Sequence, residues 1–185
     1  MKISVHHRRA ATTVRRDQPG ATVLDLTSRA PAPWVRFSPF FPHGDIPVPG
    51  APGRVCASVE GLWQALKVFS RADVDESKLA ITSMRGLKRS ASSYGPVLGH
   101  RAGLGSERVL NYVAARRQIY LPAYRHVLTR HLGAELAELA RLAASPGGLV
   151  LLDFETNTDV DDASRPLSHA GLVMHHLRGT WPADP

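Results

Sequence analysis

SVEGLWQALKVF, which spans residues 58–69, is the stretch that decides how this chain is expected to fold. Ser58 is a typical helix N-cap, because its hydroxyl can accept a hydrogen bond from an N–H group that the first turn leaves unpaired. At about 100° per residue, the apolar side chains gather on one face of the predicted helix, namely Val59, Leu62, Ala65, Leu66 and Phe69. The pattern therefore predicts an amphipathic helix that packs against a core.

The opposite face of this helix carries four side chains of unlike chemistry: Glu60, Trp63, Gln64 and Lys67. Two interpretations stay open. The default is a surface helix whose Trp63 packs under a neighbouring loop, since charged helix faces usually point to solvent. The alternative is a binding face, because a tryptophan can stack on a ligand while a carboxylate, an amide and an ammonium group supply acid–base chemistry and hydrogen bonds.

Composition places the chain among globular proteins. It has 185 residues, of which 43% are hydrophobic, enough for one domain with a substantial core. No apolar run is long enough to cross a membrane, and the basic stretch from Met1 to Arg16 lacks the apolar segment of a secretory signal. A lone cysteine, Cys56, excludes an internal disulfide framework and favours a reducing, cytoplasmic setting. We expect a basic N-terminal segment over residues 1–20 and one domain over residues 21–180.

Charge is distributed unevenly along the chain, whose net charge is +7. Residues 1–131 hold 20 basic and 8 acidic side chains, whereas residues 132–185 hold 3 basic and 8 acidic ones. A basic body favours phosphate-bearing partners, and the excess of arginine over lysine suits bidentate phosphate recognition. The arginine excess is equally consistent with the codon bias of a GC-rich genome.

Hydrophobic periodicity and turn residues predict the remaining elements. Strands are expected at residues 1–5, 21–26, 34–37, 54–57 and 149–152, and helices at residues 73–87, 106–119, 123–132, 134–144 and 169–177. Residues 90–105 are rich in glycine and proline, which predicts a long loop. With Lys88, Arg89, His100 and Arg101 this region is basic, and loops of that length are often binding loops.

An aromatic loop precedes the opening helix. Residues 38–42 read SPFFP, and two prolines in five residues forbid a regular strand ladder there. Phe40 and Phe41 are expected either to plug the core or to form a stacking wall, with at least one of them in the core.

Acidic residues follow the most apolar run of the chain, residues 149–152. Asp153, Glu155 and Asp159 stand at the exit of this predicted buried strand, and no other acidic cluster is as well placed for catalysis. No HExxH, paired CxxC, GxSxG or GxGxxG motif is present, so zinc hydrolysis, serine nucleophiles and dinucleotide binding lack support. Glycosidic hydrolysis needs little more than a carboxylate that steadies an oxocarbenium-like carbon or activates water, and a second group that assists the leaving group.

Two motifs in the same order resemble the NADAR superfamily, which includes the YbiA-like N-glycosidases. The loop SPFFP at residues 38–42 is similar to the family pattern S-N-F-Y-P. Ser58, Val59, Glu60, Gln64, Ala65 and Lys67 match the family helix S-V-E-H-x-x-Q-A-x-K, with Gly61 in place of the histidine. The family's mid-chain tryptophan and its later Trp-Gly pair have no counterpart here, and residues 170–178 match the closing family helix only loosely.

The resemblance implies an α+β fold, a single mainly helical domain with a small β-sheet. It implies hydrolysis of an N-glycosidic bond in a phosphoribosylated or ADP-ribosylated substrate, without a metal or another cofactor. The implied catalytic residues are Glu60, with Asp153 or Asp159 as the second acid. The implied substrate-binding residues are Phe40, Phe41, Trp63, Gln64, Lys67, Lys88, Tyr120 and Glu155, with Tyr120 in the place of the missing tryptophan.

Two other functions remain open at this level. A non-catalytic module of the same fold would bind a nucleotide, ADP-ribose or ADP-ribosylated nucleic acid through its basic face, as the missing family positions suggest. A nucleic-acid-binding protein would use the positive charge of residues 1–131 and bind duplexes with an affinity that falls steeply as salt rises. No membrane partner is expected, and the sequence does not indicate an oligomeric state.

Overall fold

The computed structural model of the chain describes residues 1–182. Within them the strands are Ile3–His7 (β1), Thr22–Asp25 (β2), Ile46–Pro47 (β3), Val55–Cys56 (β4), Lys67–Phe69 (β5), Val97–Arg101 (β6), Val109–Leu110 (β7) and Leu149–Asp153 (β8). The α-helices are Ala11–Asp17 (α1), Val59–Ala65 (α2), Ala91–Tyr94 (α3), Tyr112–Ala115 (α4), Leu121–His131 (α5), Gly133–Ala143 (α6) and His169–Arg178 (α7). Short 3₁₀ helices cover Arg8–Ala10, Trp34–Phe37 and Glu76–Ala80, and a π-helical turn covers Arg116–Tyr120. This mixture of helices and small sheets confirms the α+β class.

The chain forms two compact units. One comprises Met1–Ser38 together with the described residues from Leu128 onward, and the other comprises Pro39–Val127. No helix among residues 1–182 is both long and apolar enough to cross a bilayer.

The first unit is built on a parallel sheet with the strand order β1-β8-β2. All five residues of the central strand β8 are buried, as expected for a parallel strand that is covered on both faces. Val150 and Leu152 of β8 pack with Val14 of α1. The apolar run at residues 149–152 therefore forms the core strand that the sequence predicts, and β1 lies within the segment predicted as a basic extension.

Helix α7 begins where the sequence predicts. Its N-cap is Ser168, whose Oγ accepts from Gly171 N at 3.0 Å. At the other end, Arg178 donates to the carbonyl of Ile3 at 2.7 Å and so fixes the last turn of α7 to the edge strand β1.

The second unit is built on two antiparallel pairings, β3 with β4 and the sheet β5-β6-β7. Helix α2 begins at the predicted cap, since Ser58 Oγ accepts from Gly61 N at 3.0 Å. The helix ends at Ala65, and Lys67–Phe69 continues as β5, so the predicted helix is about one turn too long. Pairing of Lys67 and Val68 with His100 and Gly99 holds this end of the stretch in a strand.

Residues 34–37 are a 3₁₀ helix and not the predicted strand. Their β-branched and aromatic residues favour a strand, but Pro31 and Pro33 stand immediately before them, and their carbonyls accept turn hydrogen bonds from Val35 N and Arg36 N at 3.2 and 3.1 Å. Local turn chemistry therefore outweighs strand propensity at this position.

The predicted helix over residues 73–87 is reduced to the 3₁₀ helix Glu76–Ala80. Asp75 caps it as expected for an acidic helix start, because its side chain accepts from Ser77 N at 3.1 Å. Gly86 takes a φ of +74°, which is incompatible with a continuing helix and turns the chain towards the buried Leu87.

The predicted loop over residues 90–105 contains helix α3 and strand β6. Gly99, in the middle of β6, has a φ of +148°, and a Cβ there would stand 2.2 Å from the carbonyl oxygen of Leu110. The glycine that favours a loop in the sequence therefore permits a close approach between two strands. The predicted helix over residues 106–119 begins only at Tyr112, because Val109–Leu110 pairs with β6 and Asn111 caps α4 by accepting from Ala114 N at 2.9 Å.

Candidate active site

Glu60 lies in the first turn of α2, beside the aromatic loop. Its backbone N–H donates to the carbonyl of Pro39 at 2.9 Å, so the loop that carries Phe40 is tied to the start of the helix. The N-cap hydroxyl of Ser58 satisfies a second N–H of the same turn. The two motifs that the sequence places in order are therefore adjacent in the structure.

Gln64 holds the Glu60 carboxylate from the next turn of α2. Its Nε2 donates to Glu60 Oε1 at 2.8 Å, as the spacing of four residues on a helix allows. Its Oε1 accepts from Arg89 N at 3.0 Å. Because that oxygen must face a donor, the amide nitrogen must face Glu60, and the orientation of the carboxylate is fixed. Glu60 Oε2 has no hydrogen-bond partner among residues 1–182.

Arg89 is a buried support for this arrangement that the sequence does not single out. Its guanidinium donates to three backbone carbonyls, those of Gln64 at 3.3 Å, Lys67 at 2.7 Å and Asp73 at 2.6 Å. The same group lies 4.9 Å from the ring centroid of Phe69. It therefore joins the end of α2 to the start of β5, and its position next to Lys88 in a basic stretch gave no signal that it would be buried.

Burial raises the pKa of the Glu60 carboxyl, although the hydrogen bond from Gln64 and the positive charges of Lys88 and Lys67 act in the opposite direction. Burial likewise lowers the pKa of Lys67. The negative charge of Glu60 acts to raise this pKa, whereas the positive charges of Lys88 and Arg89 lower it further. Neither lysine forms a close ion pair with Glu60 within the described residues. The carboxyl and the amine are therefore shifted towards each other, a pattern that is typical of acid–base pairs.

Lys88 and Phe40 form one wall of the site. The Lys88 ammonium lies 5.2 Å from the centroid of the Phe40 ring, within the range of a cation–π contact. Phe40 and Phe41 are both half-buried, and Phe41 packs on His43 with their ring centroids 4.8 Å apart. The expectation that at least one of the two is a core residue is therefore wrong, and the fully buried phenylalanine of this stretch is Phe37.

Trp63 is buried and does not offer an open stacking surface. It is 9% exposed, and its indole packs on His100 with ring centroids 3.7 Å apart. Tyr112 and Tyr120 meet the indole edge-on at 6.0 and 5.8 Å. Tyr120 is therefore brought to Trp63, and the face of α2 that the sequence shows as polar is largely covered.

His100 is a second residue that the sequence does not single out. It is 1% exposed, neither ring nitrogen has a hydrogen-bond partner within residues 1–182, and it stands opposite Lys67 in the β5–β6 pairing. Burial, aided by the charge of Lys67, lowers the pKa of His100 to about 3, so the ring under Trp63 is neutral at physiological pH. The sequence places His100 in a basic loop, because the pairing that buries it joins residues distant along the chain.

Asp153, the predicted second acid, lies in the first unit at the end of β8 and is 2% exposed. Its carboxylate accepts from Ser168 Oγ at 2.7 Å and from Ala170 N at 3.2 Å, and pairs with His169 Nδ1 at 3.0 Å. Burial alone would raise the pKa of Asp153, but His169 and Ser168 lower it to about 2. Every one of these contacts anchors the start of α7.

His169 completes this pair. Its Nε2 faces the carbonyl of Leu26 at 2.8 Å, so each ring nitrogen has an acceptor, as a doubly protonated imidazole requires. Burial would lower the pKa of His169, yet the Asp153 carboxylate and the Leu26 carbonyl raise it above its usual value. Ser168 bonds Asp153 and not the imidazole, so the three residues form a helix cap and not a nucleophilic triad.

The other two acids of the predicted cluster lie beyond the strand. Glu155 is half-buried, and Asp159 is exposed and accepts from Asp161 N at 2.9 Å in a turn. Asn157, which lies between them in the sequence, is buried, and its Oδ1 accepts a hydrogen bond from Asp159 N at 2.9 Å. The structure thus gathers Glu60, Gln64, Lys67, Lys88 and Phe40 in one unit, and Asp153, Glu155 and Asp159 belong to the other.

A family model covers residues 6–173, which is most of the chain. The chain belongs to that family, a family of unknown function (DUF6939). A comparison with curated proteins gave no match. The likeness to NADAR proteins therefore stays an inference from the two sequence motifs.

Gly61 of this DUF6939 chain occupies the position of the histidine in the NADAR helix pattern. A Cβ at Gly61 would stand 2.9 Å from the carbonyl oxygen of Lys78 and 3.2 Å from the Cys56 sulfur. Helix α2 therefore packs so closely on the 3₁₀ helix Glu76–Ala80 that any side chain at Gly61 would displace the backbone.

A separate apolar pocket of about 250 Å³ opens in the same unit of the DUF6939 chain. It is lined by Pro47, Val48, Pro49, Leu62, Ile119, Pro122, Ala123 and His126. None of the predicted site residues contributes to it. Among residues 1–182, no three histidine, cysteine or acidic side chains form a group that could hold a metal ion.

Proposed function

We propose that this DUF6939 protein hydrolyses the N-glycosidic bond of a phosphoribosylated or ADP-ribosylated substrate, with Glu60 as the catalytic carboxylate. The observation that carries the proposal is the Glu60 carboxylate itself. One of its oxygens is oriented by Gln64, and the other has no hydrogen-bond partner among the described residues. An oriented carboxylate that is partly withdrawn from solvent and keeps one uncommitted oxygen suits the stabilisation of a cationic sugar carbon.

Lys67 is the partner that the proposal assigns to Glu60. As the bond between the sugar C1′ and the base nitrogen breaks, its electron pair goes to the base nitrogen, which takes a proton from the Lys67 ammonium. Glu60 steadies the positive charge on the sugar and accepts a proton from the water that adds to C1′. Burial lowers the pKa of Lys67 and raises the pKa of Glu60, and both directions bring the groups closer to neutral pH, where such transfers are most effective.

Lys88 and Phe40 supply binding in this scheme. The Phe40 ring offers a stacking face for the base, and the Lys88 ammonium, which is exposed, offers a charge for a phosphate. The roles of Asp153 and Asp159 as second acid, and of Glu155 as a binding residue, stay predictions. Asp153 is fully engaged at the start of α7, so the proposed mechanism does not use it.

The experiment measures base release by liquid chromatography from ADP-ribosylated guanosine, NAD and ribosylated pyrimidine phosphates. Glu60→Gln should lower turnover at least ~100-fold on a substrate that the wild-type protein cleaves, whereas Glu107→Gln, an exposed acid of the same unit, should leave it unchanged. Full activity of Glu60→Gln would exclude the mechanism. Binding of ADP-ribose without turnover would instead favour the non-catalytic binding module, for which Lys88 and Phe40 provide the contacts.

A further inference from the structure

Phe154 is an exposed aromatic ring that two arginines of the first unit approach. It is 41% exposed, although it directly follows the buried strand β8. The guanidinium carbons of Arg8 and Arg29 each lie 5.9 Å from the centroid of its ring. The proposed function assigns no role to any of these three residues.

The topology of the sheet explains why the three side chains meet. Strands β1, β8 and β2 are parallel, so their carboxyl ends lie at one edge of the sheet. Arg8 follows β1, Phe154 follows β8 and Arg29 stands shortly after β2. The carboxyl edge of a parallel sheet is a common location for ligand sites, since each strand delivers a side chain to the same place.

Asp25 positions Arg8 for an anion. The Nε of Arg8 donates to Asp25 Oδ2 at 2.6 Å, and Asp25 Oδ1 is held by Thr27 N at 2.8 Å. Neither Nη group of Arg8 donates a hydrogen bond within residues 1–182, and the side chain is 39% exposed. A carboxylate on the Nε side thus fixes the plane of the guanidinium and leaves its end free for a bidentate contact with phosphate.

Arg29 adds a second, uncompensated cation. It is exposed and forms no ion pair among the described residues. Its backbone N–H is held by Thr27 Oγ1 at 3.3 Å, which fixes the chain that presents it. Two guanidinium groups therefore lie over one exposed ring, and only one of them has a carboxylate partner.

We propose that Arg8, Arg29 and Phe154 form a binding site for a nucleotide unit, whose base stacks on Phe154 and whose phosphate is held by the two arginines. Stacking on an exposed aromatic ring and phosphate contacts from arginine are the two elements of single-strand recognition. The same chemistry is offered by a free nucleoside phosphate and by one residue of a single-stranded nucleic acid. The site requires nothing of Glu60, so it stands or falls independently of the proposed hydrolase activity.

The experiment uses the full chain and two probes with the same base. Binding of AMP is measured by calorimetry, and binding of a labelled oligodeoxyadenylate of about ten nucleotides is measured by fluorescence anisotropy. Phe154→Leu keeps the apolar character but removes the ring, and we expect it to weaken binding ~5- to 100-fold. Arg29→Ala should weaken binding ~10-fold or more, since it removes a charged hydrogen-bond donor.

A control variant tests whether a loss of affinity is specific to this site. Arg15→Ala removes an exposed arginine of the same unit and should not change the affinity more than about twofold, within the range of weak surface electrostatics. Lys88→Ala removes the phosphate contact proposed beside Glu60 and therefore reports any AMP that binds there instead. Thermal melting confirms the fold of each variant, and Phe154→Tyr, which retains a ring, should restore binding if Phe154→Leu lowers stability.

Each outcome decides the proposal. Loss of affinity in Phe154→Leu and Arg29→Ala alone supports it, with AMP binding indicating a free nucleotide and binding of the oligonucleotide alone indicating a single strand. Equal losses in Arg29→Ala and Arg15→Ala, with Phe154→Leu unchanged, would show unspecific attraction of phosphate and overturn it. Weaker AMP binding in Lys88→Ala only, or no binding of either probe by the wild-type protein, would overturn it as well.

Discussion

Lys67 and His100 stand opposite each other on the antiparallel strands β5 and β6, so a lysine and a fully buried imidazole share one face of the sheet. The imidazole lies under the indole of Trp63 and has no hydrogen-bond partner among the described residues. A proton on His100 would place a second positive charge beside Lys67 at a buried position. The pairing therefore makes the fold around Trp63 sensitive to acid.

We expect His100→Phe to make the protein more resistant to acid. Burial first, and then Lys67, lower the pKa of His100 to about 3 in the folded chain, against ~6.5 when unfolded. Because the folded pKa is depressed, the unfolded state takes up the proton first, and stability is lost as the pH falls from ~6.5 towards 3 by ~1.4 kcal/mol per unit. Urea unfolding of the wild-type protein at about pH 7.5 and about pH 5 should show this loss, and His100→Phe should show ~2 kcal/mol less of it.

The control for this prediction is Ser4→Ala, which changes a half-buried residue of β1 that has no titratable group and should leave the loss between the two pH values as in the wild-type protein. A phenylalanine at position 100 retains the stacking on Trp63, so any difference is due to the proton. An identical pH dependence in His100→Phe and the wild-type protein would contradict a neutral buried imidazole.

Sequence reasoning succeeded where the signal is local. Ser58 and Ser168 begin their helices as predicted, because a cap is a contact between residues that are three apart. The run at residues 149–152 forms a buried strand because it is apolar on both faces. The position of Glu60 and Gln64 on one helix face is likewise predicted from their spacing along the chain.

Sequence reasoning failed where distant pairing decides. Strand β6 lies in a stretch rich in glycine and proline, and only its pairing with β5 and β7 makes it a strand. The burial of His100 and of Arg89 follows from that pairing, and their local sequence alone is that of a basic loop. The arginines around Phe154 likewise meet only because three strands end at one edge.

Gly61→Ala should destabilise the protein, although alanine is normally the better helix residue. Helix propensity alone favours alanine by ~1 kcal/mol. At Gly61, however, the new Cβ would stand 2.9 Å from the backbone carbonyl of Lys78, which cannot rotate away. Overpacking of this kind costs ~1–3 kcal/mol, so after the propensity gain we expect a net loss of up to ~2 kcal/mol in chemical unfolding.

The matched control is Gly133→Ala at the start of α6, where a Cβ would meet nothing within 4 Å. There the propensity gain is unopposed, and we expect an increase in stability of a few tenths of a kcal/mol to ~1 kcal/mol. Stabilisation by both substitutions would show that α2 and the 3₁₀ helix Glu76–Ala80 lie further apart than the structure has them.

Disruption of the Asp153–His169 pair should be strongly destabilising. The pair is buried, so His169→Phe leaves the Asp153 carboxylate without its cation and should lower the free energy of unfolding by ~3–5 kcal/mol. Ser168→Ala, which removes the cap and one hydrogen bond, should cost ~1–2 kcal/mol. Thermal and urea unfolding of both variants at about pH 6 measure the difference.

The pH dependence of the same pair has two limits. The pKa of His169 is raised, so the stability that His169 contributes is fully present below about pH 6.5 and is lost as the pH rises through its pKa in the folded chain. The pKa of Asp153 is lowered to about 2, so the stability that Asp153 contributes is fully present above about pH 3.9 and is lost as the pH falls through its pKa in the folded chain. A proton resonance of His169 that titrates below ~6.5 would contradict the ion pair.

Removal of the Lys67 charge should raise the pKa of Glu60 further. Burial already raises it, and Lys67 is one of two cations that act against burial. In Lys67→Met the carboxyl loses that opposing charge, so the acidic limb of kcat/KM for base release should move to higher pH, while turnover falls because the proposed proton donor is gone. Carbon-13 NMR of the Glu60 carboxyl gives the same shift without any substrate, and Lys2→Met, which removes a charge that does not contribute to the pKa shift of Glu60, should leave it unchanged. A lower pKa of Glu60 in Lys67→Met would mean that the lysine acts on this carboxyl through something other than its charge, and the acid–base pairing of the two residues would have to be abandoned.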